Sequence, residues 1–221
     1  MGTKPRIVLL GKQGAGKGTQ ANLLARHYEI AHLSTGDMFR AQASAGTAFG
    51  LEAKRYMDAG ELVPDDSVMG VVEECLAPGG PMSDGFILDG FPRTQGQAEE
   101  LGRVLDGRPL DAVVHIDVPR EVVVERLSER RVCERDSSHI YSVSSPPKVN
   151  WTCDVCGGKV VQRPDDTPEA IERRLDAYEQ ETRPIREFYR ESGLPVVTID
   201  GVGPTDEVFA RLTDAIDGIL E

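Results

Sequence analysis

Apolar residues in this chain come in short unbroken runs separated by longer stretches of helical periodicity. The runs at 6–10 (RIVLL), 86–88, 112–116 and 195–199, with a weaker one at 30–33, lack the polar alternation of a strand with one wet face. They predict strands buried on both sides of a parallel sheet. Between them, apolar positions spaced for a helix predict helices over 18–27, 65–76, 95–105, 120–131 and 168–191. Thr167 followed by Pro168 reads as a cap and a favoured first helical residue. Strands alternating with helices imply an α/β domain with helices on both faces of the sheet.

Two segments interrupt the alternation. Residues 34–63 show amphipathic helical spacing and no strand, which predicts a small helical insertion. Residues 129–165 are rich in serine, contain Pro146 and Pro147, and hold Cys133, Cys153 and Cys156 of the chain's 4 cysteines. A segment with so little apolar material needs a staple. The expected domains are therefore a core of 1–33, 64–128 and 166–221, the insertion 34–63, and a lid-like unit 129–165.

The 37 acidic against 25 basic residues give a formal net charge of -12, so the surface as a whole repels polyanions and a nucleic-acid partner is not expected. No apolar run is long enough for a membrane span, and the reading is a cytoplasmic protein. A phosphate site must then be a local basic pocket. "GKQGAGKGT", Gly11 to Thr19, supplies one between a strand and a helix. Its glycines let backbone N–H groups turn inward, Lys17 adds a point charge, and the helix N-terminus faces the anion. Gly18 stands where the general pattern has Ser or Thr, and Thr19 follows one position later, which weakens the case for a hydroxyl ligand to magnesium.

Together with "LSTGDMFR" (33–40), "GELVPD" (60–65), "LDGFPRTQGQA" (88–98), "ERLSERRV" (125–132) and "QRPDDTPEAIERRL" (162–175), the loop closely resembles the adenylate kinases over nearly the whole chain, in their long-lid bacterial form. The resemblance implies a P-loop nucleoside monophosphate kinase fold with a helical AMP-binding insertion and a zinc-stapled lid. It also implies the reaction MgATP + AMP ⇌ 2 ADP in a monomer. It places the backbone of Gly14, Ala15, Gly16, Lys17, Gly18 and Thr19 on the ATP phosphates, with Arg126, Ile140, Tyr141 and Gly203 completing that site. AMP is expected among Thr35, Arg40, Glu61, Leu62, Val63, Gly90, Phe91, Pro92, Arg93 and Gln97. Arg130, Arg163 and Arg174 are expected over the phosphates, with Arg163 and Arg174 shared by the AMP site, Asp89 near magnesium, and Asp165 and Asp166 setting lid closure. Lys17, Asp89, Arg93, Arg130, Arg163 and Arg174 form the expected catalytic set. Guanidiniums suit this chemistry because phosphoryl transfer asks mainly for positioning and charge stabilisation, and their planar fork bonds phosphate oxygens in pairs. Whether Arg130 or Arg131 faces the cleft stays open.

Two other functions compete: a sibling kinase for UMP, CMP or GMP, and a zinc-finger-like binding module with vestigial kinase motifs. For the thiols, Cys153-x2-Cys156 after Cys133 suits a closed four-ligand zinc site. His139 is the preferred fourth ligand because it offers nitrogen, with Asp136 the alternative at the C-x2 spacing. Cys75 reads as a small buried hydrophobe, His27, His32 and His115 as histidines of core-like elements without chemistry, and Trp151 as packed within the lid.

Overall fold

A computed structural model describes residues 4–77 and 79–221. Five parallel strands, β1 (Arg6–Leu10), β2 (Ala31–Ser34), β3 (Phe86–Asp89), β4 (Ala112–Asp117) and β8 (Val196–Asp200), form a sheet ordered β2-β3-β1-β4-β8. The strands β5 (Arg130–Cys133), β6 (Ile140–Ser142) and β7 (Val160–Val161) form a separate antiparallel sheet ordered β6-β5-β7. Alternate residues of β1 enter opposite layers. Val8 and Leu10 join Phe86, Leu88 and Val113 on one face, while Ile7 and Leu9 join Ile87, Val114 and Ile116 on the other. Because both faces are dry, the strands carry no polar alternation.

Helices α1 (Lys17–Tyr28), α6 (Arg120–Glu129), α7 (Pro168–Ala177) and α9 (Thr205–Leu220) cover one face through Leu24, Val123, Ile171 and Leu212. Helices α4 (Asp65–Leu76), α5 (Gln95–Leu105) and α8 (Ile185–Glu191) cover the other through Val72, Leu101 and Ile185. Two further helices, α2 (Thr35–Ser44) and α3 (Ala48–Ala59), leave the sheet between β2 and α4 as a hairpin. Ser34 caps α2 by accepting from the Asp37 N–H, and Thr47 caps α3 by accepting from the Gly50 N–H.

Several elements differ from the sequence expectation. The helix expected over 168–191 is broken: α7 gives way to a π turn at Tyr178–Thr182, and α8 restarts after Pro184. Pro184 has no N–H to donate, so the ladder cannot run through it. The helix expected to reach 131 stops at Glu129, and Arg130 opens β5. Helix α9 is absent from the expected set, although Val208, Leu212 and Ile216 mark its buried face. His27 is exposed on α1 and does not belong to the core. Cys75 is only half-buried against the core, and Trp151, 36% exposed with φ 54°, does not pack inside the small sheet's unit. His115 is buried, with Nε2 2.9 Å from the Tyr178 hydroxyl and Nδ1 3.1 Å from Arg186 NH1.

Candidate active site and metal centre

The loop after β1 reaches α1 without a side-chain cap, leaving the first N–H groups of the helix free for an anion. Gly14 and Gly16, at φ 83° and 96°, take left-handed conformations that a side chain would resist. A Cβ on Gly14 would also meet Leu127 Cγ at 2.9 Å. The unusual Gly18 has a local reason as well: a Cβ there would stand 3.3 Å from Asp89 Oδ2, so glycine leaves that carboxylate room beside the loop. Lys17 folds back across the turn, donating to the carbonyls of Gly11 at 2.7 Å and Lys12 at 2.9 Å. Burial pushes its pKa down to about 8; Asp89 pulls the other way, and Arg93, Arg174 and Arg130 add to the fall.

This loop forms one wall of a cavity of about 940 Å³ that runs between the C-terminal ends of the strands, the α2–α3 hairpin and the small sheet. Its position outside the strand ends is where open α/β sheets gather ligands. On the loop side the wall carries Gly14 to Thr19, Arg126, Ile140, Tyr141 and Gly203. On the hairpin side it carries Thr35, Arg40, Glu61, Leu62, Val63, Gly90, Arg93 and Gln97, and between the two stand Asp89, Arg130, Arg163 and Arg174. The cavity wall does not include Phe91 or Pro92. Phe91 is buried in the core, and Pro92 borders a smaller space behind the loop.

The arginines are held by neighbouring acids and carbonyls. Arg130 makes a bidentate pair with the fully buried Asp166, at 2.8 and 2.6 Å, while Arg131 turns to the carbonyls of Ser128 and Arg130. Arg174 donates to both the carbonyl and carboxylate of Asp165, at 2.6 and 2.9 Å. Arg93 Nε donates to the Gly90 carbonyl at 2.7 Å, and Thr182 on the π turn donates to the Arg93 carbonyl at 2.9 Å. Gln97 lines the cavity with its amide already engaged, accepting from the Arg93 N–H at 2.7 Å and donating to Asp65 at 2.6 Å. Asp37, which the sequence reading did not single out, accepts from Arg40 at 2.6 Å and lies 3.8 Å from Arg163. Burial would raise its carboxyl, yet Arg40, Ser137 and Arg163 hold it well below the usual carboxylate range.

Burial, then the other cations of the site, push Arg93 down to about 10 and Arg163 to about 9, so both remain charged at neutral pH. Arg40 Nε and Arg163 Nε are buried without partners. A concentration of buried positive charge with unsatisfied donors, in a chain of net charge -12, is built for a polyanion.

Beyond the cavity, Cys133, His139, Cys153 and Cys156 bring their donor atoms within 4.8 Å of one another. Cys133 Sγ stands 3.4 Å from Cys156 Sγ, and Cys153 Sγ 3.4 Å from His139 Nδ1. Tetrahedral thiolate and imidazole donors around zinc lie roughly 3.5–3.8 Å apart, so the set fits that ion. Burial opposes ionisation of Cys153, but the Tyr141 hydroxyl and nearby backbone N–H groups outweigh it and bring the thiol down to about 6, toward the thiolate a metal needs. Asp136, the alternative ligand, is not in this group. Its carboxylate lies 3.5 Å from His139 Nε2, the nitrogen that points away from the thiols. That is the place of an outer carboxylate that orients a ligating imidazole. Gly158 leaves room for the cluster, since a Cβ there would meet Cys133 Sγ at 2.6 Å.

Comparison with known proteins agrees with this arrangement. Residues 9–194 match the family model described as adenylate kinase. The chain is 49% identical to an adenylate kinase of Streptomyces avermitilis over 214 residues, covering 96% of each chain. It is 47% identical to one from Carboxydothermus hydrogenoformans, covering 96% of this chain and 99% of that one. It is also 47% identical to one from Methanosarcina acetivorans, covering 93% and 95%. Such likeness over nearly the full length of both partners, in a chain with an arginine-lined cavity at its phosphate loop, leaves neither a vestigial kinase nor a stand-alone metal finger as the better description: the chain belongs to the adenylate kinase family.

Proposed function

We propose that this enzyme transfers the terminal phosphoryl group of MgATP to AMP, reversibly, giving two ADP. The observation that carries the reading is the cavity itself, with a phosphate loop at one end, a hairpin-lined pocket at the other and arginines between them. ATP phosphates lie along the N–H groups of Gly14 to Thr19 with Lys17 and Arg126. AMP lies between Thr35, Arg40, the 61–63 backbone and the Gly90–Arg93 bend. Lys17, Arg93, Arg130, Arg163 and Arg174 then surround the group in flight, where fixed cations stabilise charge spreading over its oxygens without reorganising. The ion of MgATP would supply charge neutralisation at the phosphates, and Asp89, at the end of β3 beside Gly18, would orient its waters. Lys17 must leave the Gly11 and Lys12 carbonyls to reach a phosphate, and the bound anion replaces those two bonds.

The units 34–63 and 129–165 act as the two closing parts, excluding water that would otherwise take the phosphoryl group. Asp165 and Asp166 set the lid's closure by aiming Arg174 and Arg130. The four-donor cluster holds zinc as a structural ion, since its protein ligands leave no open position for substrate. A monomeric state is what the family resemblance implies, and a cytoplasmic location is the reading of the sequence's short apolar runs. The net charge of -12 supports the absence of a nucleic-acid partner, and no described helix is long and apolar enough to cross a membrane.

The test is ADP formation from MgATP with AMP, UMP, CMP or GMP as acceptor. AMP should be preferred by at least an order of magnitude. Equal or better turnover with another monophosphate would move the chain to a sibling activity, and no turnover with any would defeat the reading.

A further inference from the structure

The segment between the first two candidate metal donors also reaches α2. Counted from Cys133, the histidine donor comes six positions later, so residues 134–138 form a loop pinned at both ends by ligands. The loop is tied internally. The Cys133 N–H donates to the His139 carbonyl at 3.1 Å, the His139 N–H to the Asp136 carbonyl at 3.1 Å, and the Ser138 N–H and hydroxyl to Asp136 Oδ1 at 2.9 and 2.6 Å. Its free side presents Ser137, whose hydroxyl donates to Asp37 Oδ1 at 2.8 Å, across 100 residues of sequence. Among the described residues this is the hydrogen bond that joins α2 to the metal-bearing segment. Arg163 braces it, donating to the Ser137 carbonyl at 3.2 Å and standing 3.8 Å from Asp37.

Asp37 also holds Arg40, so the Ser137 hydroxyl enters the cluster that aims a guanidinium into the monophosphate end of the cavity. The loop that carries the hydroxyl has no apolar core of its own. The small hydrophobic cluster beneath it consists of Cys133, Cys153 and Val160 with Tyr141 and Cys156, mostly the metal donors themselves.

We propose that Ser137 is a positioning residue for the monophosphate site, and that metal occupancy and AMP binding are thermodynamically linked through it. The metal holds loop 134–138 in the shape that sets the Ser137 hydroxyl on Asp37. AMP, by engaging Arg40, favours the same closed arrangement, and by reciprocity it tightens the metal. This rests on the AMP reading above. It goes beyond a structural staple, because a staple alone would stabilise the small sheet without distinguishing AMP from ATP.

The experiment compares zinc-loaded wild type with Ser137→Ala and Ser137→Thr. ADP formation by wild type is measured first, so that failure of the AMP reading shows there and not in the linkage. Ser137→Ala should raise KM for AMP about fivefold to tenfold, from loss of one hydrogen bond to a charged acceptor. KM for ATP and zinc content should stay within twofold of wild type, and Ser137→Thr, which keeps the hydroxyl, should recover most of the loss. The decisive readout is zinc release to a metallochromic chelator. AMP with a non-transferable ATP analogue should slow release severalfold in wild type and have no effect in Ser137→Ala. If Ser137→Ala itself proves poor in zinc, Asp37→Ala removes the acceptor of the same bond without altering the lid sequence, and at saturating AMP it must likewise abolish the nucleotide effect. Equal slowing in wild type and Ser137→Ala, no slowing in wild type, or KM rising equally for both nucleotides would overturn the proposal.

Discussion

The central sheet and the small sheet are held together by different physics. Around the central sheet, Phe86, Phe91, Leu24, Leu101 and Ile116 are all below 2% exposed and pack into two continuous apolar layers. In the small sheet the buried apolar set shrinks to Val132 and the cluster of Cys133, Cys153 and Val160, while Val143, Val149 and Val155 of the same region lie 50% or more exposed. The first region can fold on apolar burial alone. The second has too little to bury, and its four clustered donors suit the ligand chemistry that orders small metal-bound units. The division also matches the proposed tasks: the cleft's floor belongs to the part with the large core, and the unit proposed to close is the one with little core.

The largest expected effect tests where the chemistry sits. Lys17→Met should lower turnover by about a thousandfold or more, with unchanged melting temperature and zinc content, because the side chain's polar contacts are only to loop carbonyls. Near-normal turnover would remove the loop from the mechanism. Next, Leu88→Ala, in the middle of the central sheet, should cost about 2–5 kcal/mol of global stability in denaturant melts. Val160→Ala should leave that global transition in place and lower only resistance to proteolysis between 130 and 161. Equal global losses would erase the distinction between the two regions.

Smaller effects sharpen it. Asp136→Asn should keep the metal but weaken its binding roughly tenfold in chelator competition, through loss of the carboxylate behind His139; complete loss of zinc would instead make Asp136 a direct ligand. The pH dependence belongs to the core. Lys17, lowered to about 8, is proposed to bind phosphate as the cation, and raising pH through 8 strips the proton from free enzyme. The ratio kcat/KM for ATP should fall above that pH, while kcat holds to higher pH because bound phosphates keep the lysine charged. A flat kcat/KM between pH 7 and 9.5 would count against the depressed value.

What the sequence discloses follows the same division. Strands β1, β3 and β4 were legible because both their faces are buried, so apolar residues run on without alternation through most of each strand, and the phosphate loop because its glycines answer a backbone need. The break at Pro184 was harder to read: helical spacing resumes beyond it, and only the π turn shows that Thr182 swings under Arg93. Strands β6 and β7, three and two residues long, are too short to leave a pattern. Gln97 shows the limit at the site itself. Its motif announces a polar residue in the cleft, but the partners of its amide, Arg93 and Asp65, are fixed by tertiary contact. The Ser137–Asp37 bond spans 100 residues and leaves no local trace at all.

The most direct test of the division is amide hydrogen exchange on zinc-loaded and chelated protein under reducing conditions. The account expects protection to be lost across 130–161 on chelation while β1, β3 and β4 keep theirs. Unchanged protection in 130–161, or equal loss in the central strands, would contradict it.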